Sequence, residues 1–147
     1  MAAFRFRLAT LLKLRRAVRD QARTHLAQAQ QAQALLNERL SALQSELAAA
    51  RHVQQLRPGA VDVDRLLAAS RYEAVLRYQE QELLAQRDLV AAEVERRREL
   101  LLAADRDLKA LEKLEQRQAH QHRAQTERRA LADLDEAAGN VFREDRR

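Results

Sequence analysis

The chain has one point that a helix cannot easily cross, the tripeptide Arg57-Pro58-Gly59. Its only other glycine is Gly139, and it has no other proline among 147 residues. Pro58 lacks a backbone donor and disfavours helical geometry at Arg57, and Gly59 readily takes a positive φ, so a helix should end near Leu56 and the chain should turn over residues 57–61. Asp62 or Asp64 can then accept backbone N–H groups and cap a second helix. Ala, Leu, Gln, Glu and Arg dominate on both sides of the break. These residues lose little rotamer freedom in a helix, and the composition is that of long helices or a coiled coil. The spacing predicts a helix over about 5–55, a second over about 64–138 and a flexible tail at 139–147. One short turn between two long helices makes an antiparallel pair. The expected fold is therefore all-α, a single domain built as an antiparallel two-helix coiled-coil hairpin. With 33% of residues charged, its core should be a seam flanked by solvated faces.

Heptad spacing supports the pairing. In the first helix Leu12, Leu26, Leu36, Leu40, Leu43, Leu47 and Ala50 alternate between two seam positions, and Ala22 and Ala29 fill the same stripe. Arg15, Arg19 and Gln33 fall on that register as well, and a second stripe, Leu8, Leu11, Val18, His25 and Ala32, runs beside it. In the second helix Leu76, Leu83, Val90, Ala104 and Leu111 keep a seven-residue period, joined by Val94, Leu101 and Leu108 at the complementary position. Such a repeat implies left-handed supercoiling.

The two helices are unequal. Folding about Pro58 and Gly59 sets Phe4 near Leu114, where the leucine stripe of the second helix stops. After Leu114 no Leu, Ile, Val or Phe occurs until Leu131. Residues 115–138 are thus expected to overhang as a lone polar helix of about 36 Å, at about 1.5 Å per residue. A lone helix of that kind is marginal in water, so it either frays or is received by another protein.

Chemistry of other kinds is hard to place. The chain has no cysteine, which removes disulfides, thiolate nucleophiles and thiolate metal sites. No apolar run is long enough to span a membrane. The opening stretch FRFRLATLLKLRRAVR and the residues just after it carry Arg5, Arg7, Lys13, Arg15, Arg16, Arg19 and Arg23 around the single acid Asp20, and read as the first turns of an amphipathic helix with a basic face. His120 and His122 are two apart, so on a helix they point roughly 200° away from each other and read as solvated, not as a metal pair. Asp133 and Glu136 lie on a helix without an enclosing pocket, and no glycine-rich phosphate loop exists, so neither catalysis nor a cofactor is expected. A net charge of +5 raises nucleic acid as a partner, but bases and acids are interleaved eight to eight from Arg87 to Arg117. A peripheral membrane anchor would place Phe4, Phe6, Leu8, Leu11 and Leu12 against lipid.

The FRFRLATLLKLRR opening, the hairpin of unequal helices, LEKLEQRQ at 111–118 and DLDEAA at 133–138 resemble the FliJ family, a component of the bacterial flagellar type III export apparatus, over nearly the whole chain. The resemblance implies a non-enzymatic cytoplasmic protein, peripherally associated with the inner membrane at the flagellar base and similar to the stalk of rotary ATPases. Its implied partners are the hexameric export ATPase, the cytoplasmic segment of the export gate and export chaperones. Carried over, the ATPase contact falls on Leu114, Arg117, Asp135 and Glu136, and the gate contact on Tyr72, Val75, Leu76 and Tyr78. Reading the residues themselves adds Arg123, Arg128 and Arg129 around the lone helix, with Leu131, Leu134 and Phe142 as an apolar tip. A virulence type III stalk, a generic coiled-coil adaptor and a nucleic-acid or membrane-surface binder are the alternatives.

Overall fold

The computed structural model describes residues 3–55, Gly59 and 62–144. Two helices, α1 (Ala9–Gln55) and α2 (Val63–Glu144), account for the fold, and no strand occurs among the described residues. The turn expected at 57–61 lies, apart from Gly59, outside the described residues, as does the end of the tail at 145–147. Gly59 has the positive φ expected of it, 157°. Asp62 caps α2: its carboxylate accepts the backbone N–H of Asp64 at 3.1 Å, and its carbonyl accepts that of Leu66 at 3.1 Å.

Two boundaries differ from the sequence expectation, each for a physical reason. Residues 3–6 are not helical, and α1 begins only at Ala9, after the N–H of Ala9 has bonded to the Phe6 carbonyl at 3.2 Å. On a helix Phe4 and Phe6 would point roughly 200° apart and only one could be buried; the non-helical segment turns both inward. At the other end α2 does not stop at Ala138 but runs through Gly139 to Glu144. An isolated glycine costs a helix about 1 kcal/mol relative to alanine, which weakens it without breaking it.

The chain forms two compact units. In the unit of residues 21–102, α1 and α2 lie antiparallel: Gln44 donates to Glu80 at 3.1 Å, Arg51 to Glu73 at 3.1 Å, and Arg97 to the backbone carbonyl of His25 at 2.6 Å. Its buried side chains are those that the heptads selected. Leu43, Leu47 and Leu76 form one cluster with Leu83 packed on it, and Ala29, Leu40 and Val94 are buried on the same stripes. Polar residues occupy seam positions too, with Gln33, Glu73, Glu80, Arg87 and Arg97 all half-buried.

The unit of residues 1–20 and 103–147 has its own core. Phe6, Leu12 and Leu108 pack together, Phe4, Leu111 and Leu114 close over them, and Leu108 is the most buried side chain at 2% exposure. Arg15 pairs with Asp107 at 3.1 Å and Arg16 with Glu112 at 3.7 Å, and the order is again antiparallel, since Phe4 meets His122 while Arg15 meets Asp107. Phe4 does reach the Leu114 region, but its ring also meets that of His122 at a tilt of 50°, with centroids 5.7 Å apart. His122 is therefore half-buried, not solvated as expected. The footing of the lone helix extends to residue 122 because the non-helical segment, a strap across α2, continues the cover after α1 has ended.

Candidate functional site

The two surfaces singled out in the sequence are built differently, and both belong to α2. Beyond His122 no described residue of α2 is buried, and from Leu131 to Arg143 every one is exposed. Leu114 is not part of that exposed stretch, since it packs on the Phe6, Leu12 and Leu108 core. Arg117, Arg123, Arg128, Arg129, Asp135 and Glu136 are all exposed. At 3.6 residues per turn Arg117 and Arg128 share one side, while Arg123 and Arg129 fall about 120° to either side of it. Positive charge is thus presented in three directions.

The same geometry adds a feature that inspection of the heptads alone passed over. Leu131, Leu134, Ala138 and Val141 recur at spacings of three and four on one face, and Leu131, Leu134 and Val141 are exposed at 61%, 66% and 63%. That face lies about 150° around the helix from the side of Glu115, Gln118 and His122 that the strap covers. The apolar stripe therefore stops on one side of α2 and resumes on nearly the opposite side. Phe142, at 63% exposure, lies beside it.

In the unit of residues 21–102, the four expected gate residues separate. Leu76 is 4% exposed and sits against Leu43 and Leu47, so its side chain is spent on the seam and is removed from any outward surface. The Tyr72 hydroxyl donates to the Glu46 carboxylate of α1, which turns that ring back along the hairpin. Val75 and Tyr78 face outward at 53% and 62% exposure. A hydrogen bond to the Glu82 carboxylate pushes the Tyr78 phenol above its ordinary range, as the bond to Glu46 does for Tyr72. Leu67 and Leu89, at 50% and 73% exposure, lie eleven residues before and after Tyr78. Eleven residues are close to three turns, so Leu67, Tyr78 and Leu89 fall within about 20° of one line on the outer face. The signal was present as a spacing of eleven, which a search for sevens does not register.

Neither surface resembles a reaction centre. No group of three His, Asp or Glu that could hold a metal ion occurs among the described residues, and none of their helices is long and apolar enough to cross a membrane. What the geometry offers is a charged helix with an apolar tip and an outward aromatic line, both suited to protein partners. The family model described as "Flagellar FliJ protein" matches residues 4–147. The chain belongs to the FliJ family. Membership makes it a component of the flagellar export apparatus. No curated protein and no solved structure matches the chain significantly.

Proposed function

We propose that this FliJ-family protein inserts the end of α2, from about Arg123 onward, into the central opening of the hexameric export ATPase and promotes assembly and activity of the ring. The observation that carries the reading is the stretch Leu131–Arg143, helical and exposed on every side, with arginines distributed around the helix just before it. Several subunits surrounding one helix cannot all meet a single apolar stripe. Charges on three sides make shallow, exchangeable contacts with each of them, and the stripe of Leu131, Leu134 and Val141 supplies an apolar tip. A ligand that prefers the assembled ring shifts the equilibrium toward it by its differential affinity. The test is ATP hydrolysis against ATPase concentration, with the full chain and with a version ending at His122, which keeps the strap and its footing. Loss of stimulation with the shortened chain is the expected result; equal stimulation by both overturns the mechanism.

A second contact is supported by the outward line in the other unit. Val75 and Tyr78, joined by Leu67 and Leu89, are the surface that we assign to the cytoplasmic segment of the export gate, with Tyr72 at its margin and Leu76 beneath it. Exposed tyrosine with aliphatic neighbours is the composition of interface anchors. This linkage puts the protein in the cytoplasm at the flagellar base, peripheral to the inner membrane, where export chaperones form its third class of partner. The rival surface readings lose most of their residues: Phe6 and Leu12 are only 8% and 4% exposed and Phe4 meets His122, so neither ring is a platform for bases, and of the five residues of the lipid-anchor reading only Leu8, at 38%, is exposed.

A further inference from the structure

The formal charge of the chain is concentrated at one place. Six of its 27 Lys and Arg lie in residues 1–20, against one of its 22 Asp and Glu, so this stretch carries the whole net charge of +5 and the rest is balanced, 21 against 21. Attraction to an anionic surface is therefore seated in the unit of residues 1–20 and 103–147. That unit has two flanks, each marked by an ion pair between the helices, Arg15 with Asp107 on one and Arg16 with Glu112 on the other.

The flanks differ in kind. At about 100° per residue, moving round α1 from Arg15 away from the buried Leu12 brings Leu11, Val18 and Leu14 at about 40°, 60° and 100°. Moving round α2 from Asp107 away from the buried Leu108 brings Leu114, Ala103 and Ala110 at about 20°, 40° and 60°. Leu14 and Val18 are 58% and 40% exposed, Ala103 and Ala110 are exposed, and Leu11 and Leu114 are half-buried. The strip is bounded by exposed cations on both sides, Lys13 about 100° beyond Leu14 and Arg117 about 20° beyond Ala110. The acid at its inner edge, Asp107, is held by Arg15. Asp105 and Glu112 fall on the opposite flank, with Arg16.

We propose that the flank of Leu14 and Val18 is a contact for an anionic phospholipid surface, with these two side chains entering the headgroup boundary and Lys13 and Arg117 meeting phosphates at its edges. An apolar centre with basic edges is the pattern of helices that lie in the membrane interface. Two helices side by side make the strip broad and flat, which suits a planar surface, and its apolar residues are aliphatic, without the aromatic anchor typical of protein interfaces. The anchor expected from the sequence counted on Phe6 and Leu12, which are buried; the same helix turns other residues outward. The contact rests on the peripheral placement proposed above for its setting. It uses no residue beyond His122 and none of the outward line of Val75 and Tyr78.

The experiment sediments full-length protein with vesicles of phosphatidylglycerol and phosphatidylcholine, and with vesicles of phosphatidylcholine alone. Binding is expected only to the first. Leu14→Gln with Val18→Gln, which leaves the charge unchanged, should weaken it about tenfold or more, and so should Lys13→Gln with Arg117→Gln. Leu35→Gln with Val53→Gln, at exposed aliphatic positions of α1 in the other unit, should change nothing. Circular dichroism checks that helix content is preserved. The chain has no tryptophan, so Leu14→Trp reports on that position alone; its emission should shift to the blue on phosphatidylglycerol vesicles, and that of Leu35→Trp should not. Absence of vesicle binding overturns the proposal, as does binding that falls with salt yet ignores Leu14→Gln with Val18→Gln. If the flank variants bind vesicles like the parent but lose association with the export ATPase, the flank is a protein contact and the proposal is wrong. A version ending at His122 keeps the flank whole and should still bind vesicles, so a failure of ring insertion and a failure of lipid contact are told apart.

Discussion

At the scale of single residues, burial ranks the side chains that stability depends on. Leu108 is 2% exposed at the centre of its cluster, so Leu108→Ala should cost about 2–5 kcal/mol, measured as a fall in the denaturation midpoint. Leu89→Ala, at 73% exposure, should stay within about 0.5 kcal/mol of the parent. The carboxylates that meet arginines set the response to acid. Arg96 and Arg97 hold the Glu93 carboxyl down at about 2, and Arg51 and Arg77 hold Glu73 below its ordinary value. A carboxyl lowered on folding contributes stability that is complete above its unfolded value of about 4.5 and disappears as pH falls toward about 2. Thermal melts should therefore be flat above pH 5 and should drop between pH 4.5 and 2, and the drop should shrink in Glu93→Gln. Sequence alone identified Arg15, Arg19 and Gln33 as polar residues on the seam. Arg97 was passed over although it falls on the same seven-residue period, between Val90 and Ala104; the structure adds what holds it there, a bond to the backbone carbonyl of His25.

At the scale of elements, heptad counting succeeded wherever a leucine or alanine is buried against another helix and failed where the cover is not helical. The stripes through Leu40, Leu43 and Leu47 and through Leu76, Val94, Ala104 and Leu108 appear in the structure as they were read. The strap was read as helix because its residues favour one, yet burying two phenylalanines that are two positions apart outweighed that propensity. Its contribution can be measured locally. Phe4→Ala removes the ring that lies on His122, so amide exchange over residues 115–122 should speed up while exchange over residues 21–102 stays unchanged. Slow exchange preserved at 115–122 would mean that the strap carries none of that protection. The far end of α2 was missed for a complementary reason, since Gly139 resembles a stop signal but has no positive φ here. A Cβ at Gly139 meets nothing within 4 Å, so Gly139→Ala should firm the terminal turns by about 1 kcal/mol, seen as a gain in helix content.

At the scale of the whole molecule, the two interaction surfaces that we propose on α2 are made by opposite means. The outer line of Leu67, Val75, Tyr78 and Leu89 lies on a stretch of helix already stabilised by α1, so its side chains can be changed without unfolding their support. The stretch beyond His122 has no buried side chain among the described residues, and on the proposed function it is steadied by the ring that receives it. The two surfaces share no side chain and fall in different compact units, so their effects should be independent. Val75→Ala with Tyr78→Ala should weaken capture of the gate's cytoplasmic segment while leaving stimulation of ATP hydrolysis at its parental level. Ending the chain at His122 should do the reverse. The combined variant should lose both activities, with each loss equal to that of the single change. A truncation that also weakened gate capture, with helix content intact through residue 122, would show that the two contacts communicate. The protein would then have to be treated as a coupled device, not as a support bearing two separate attachments.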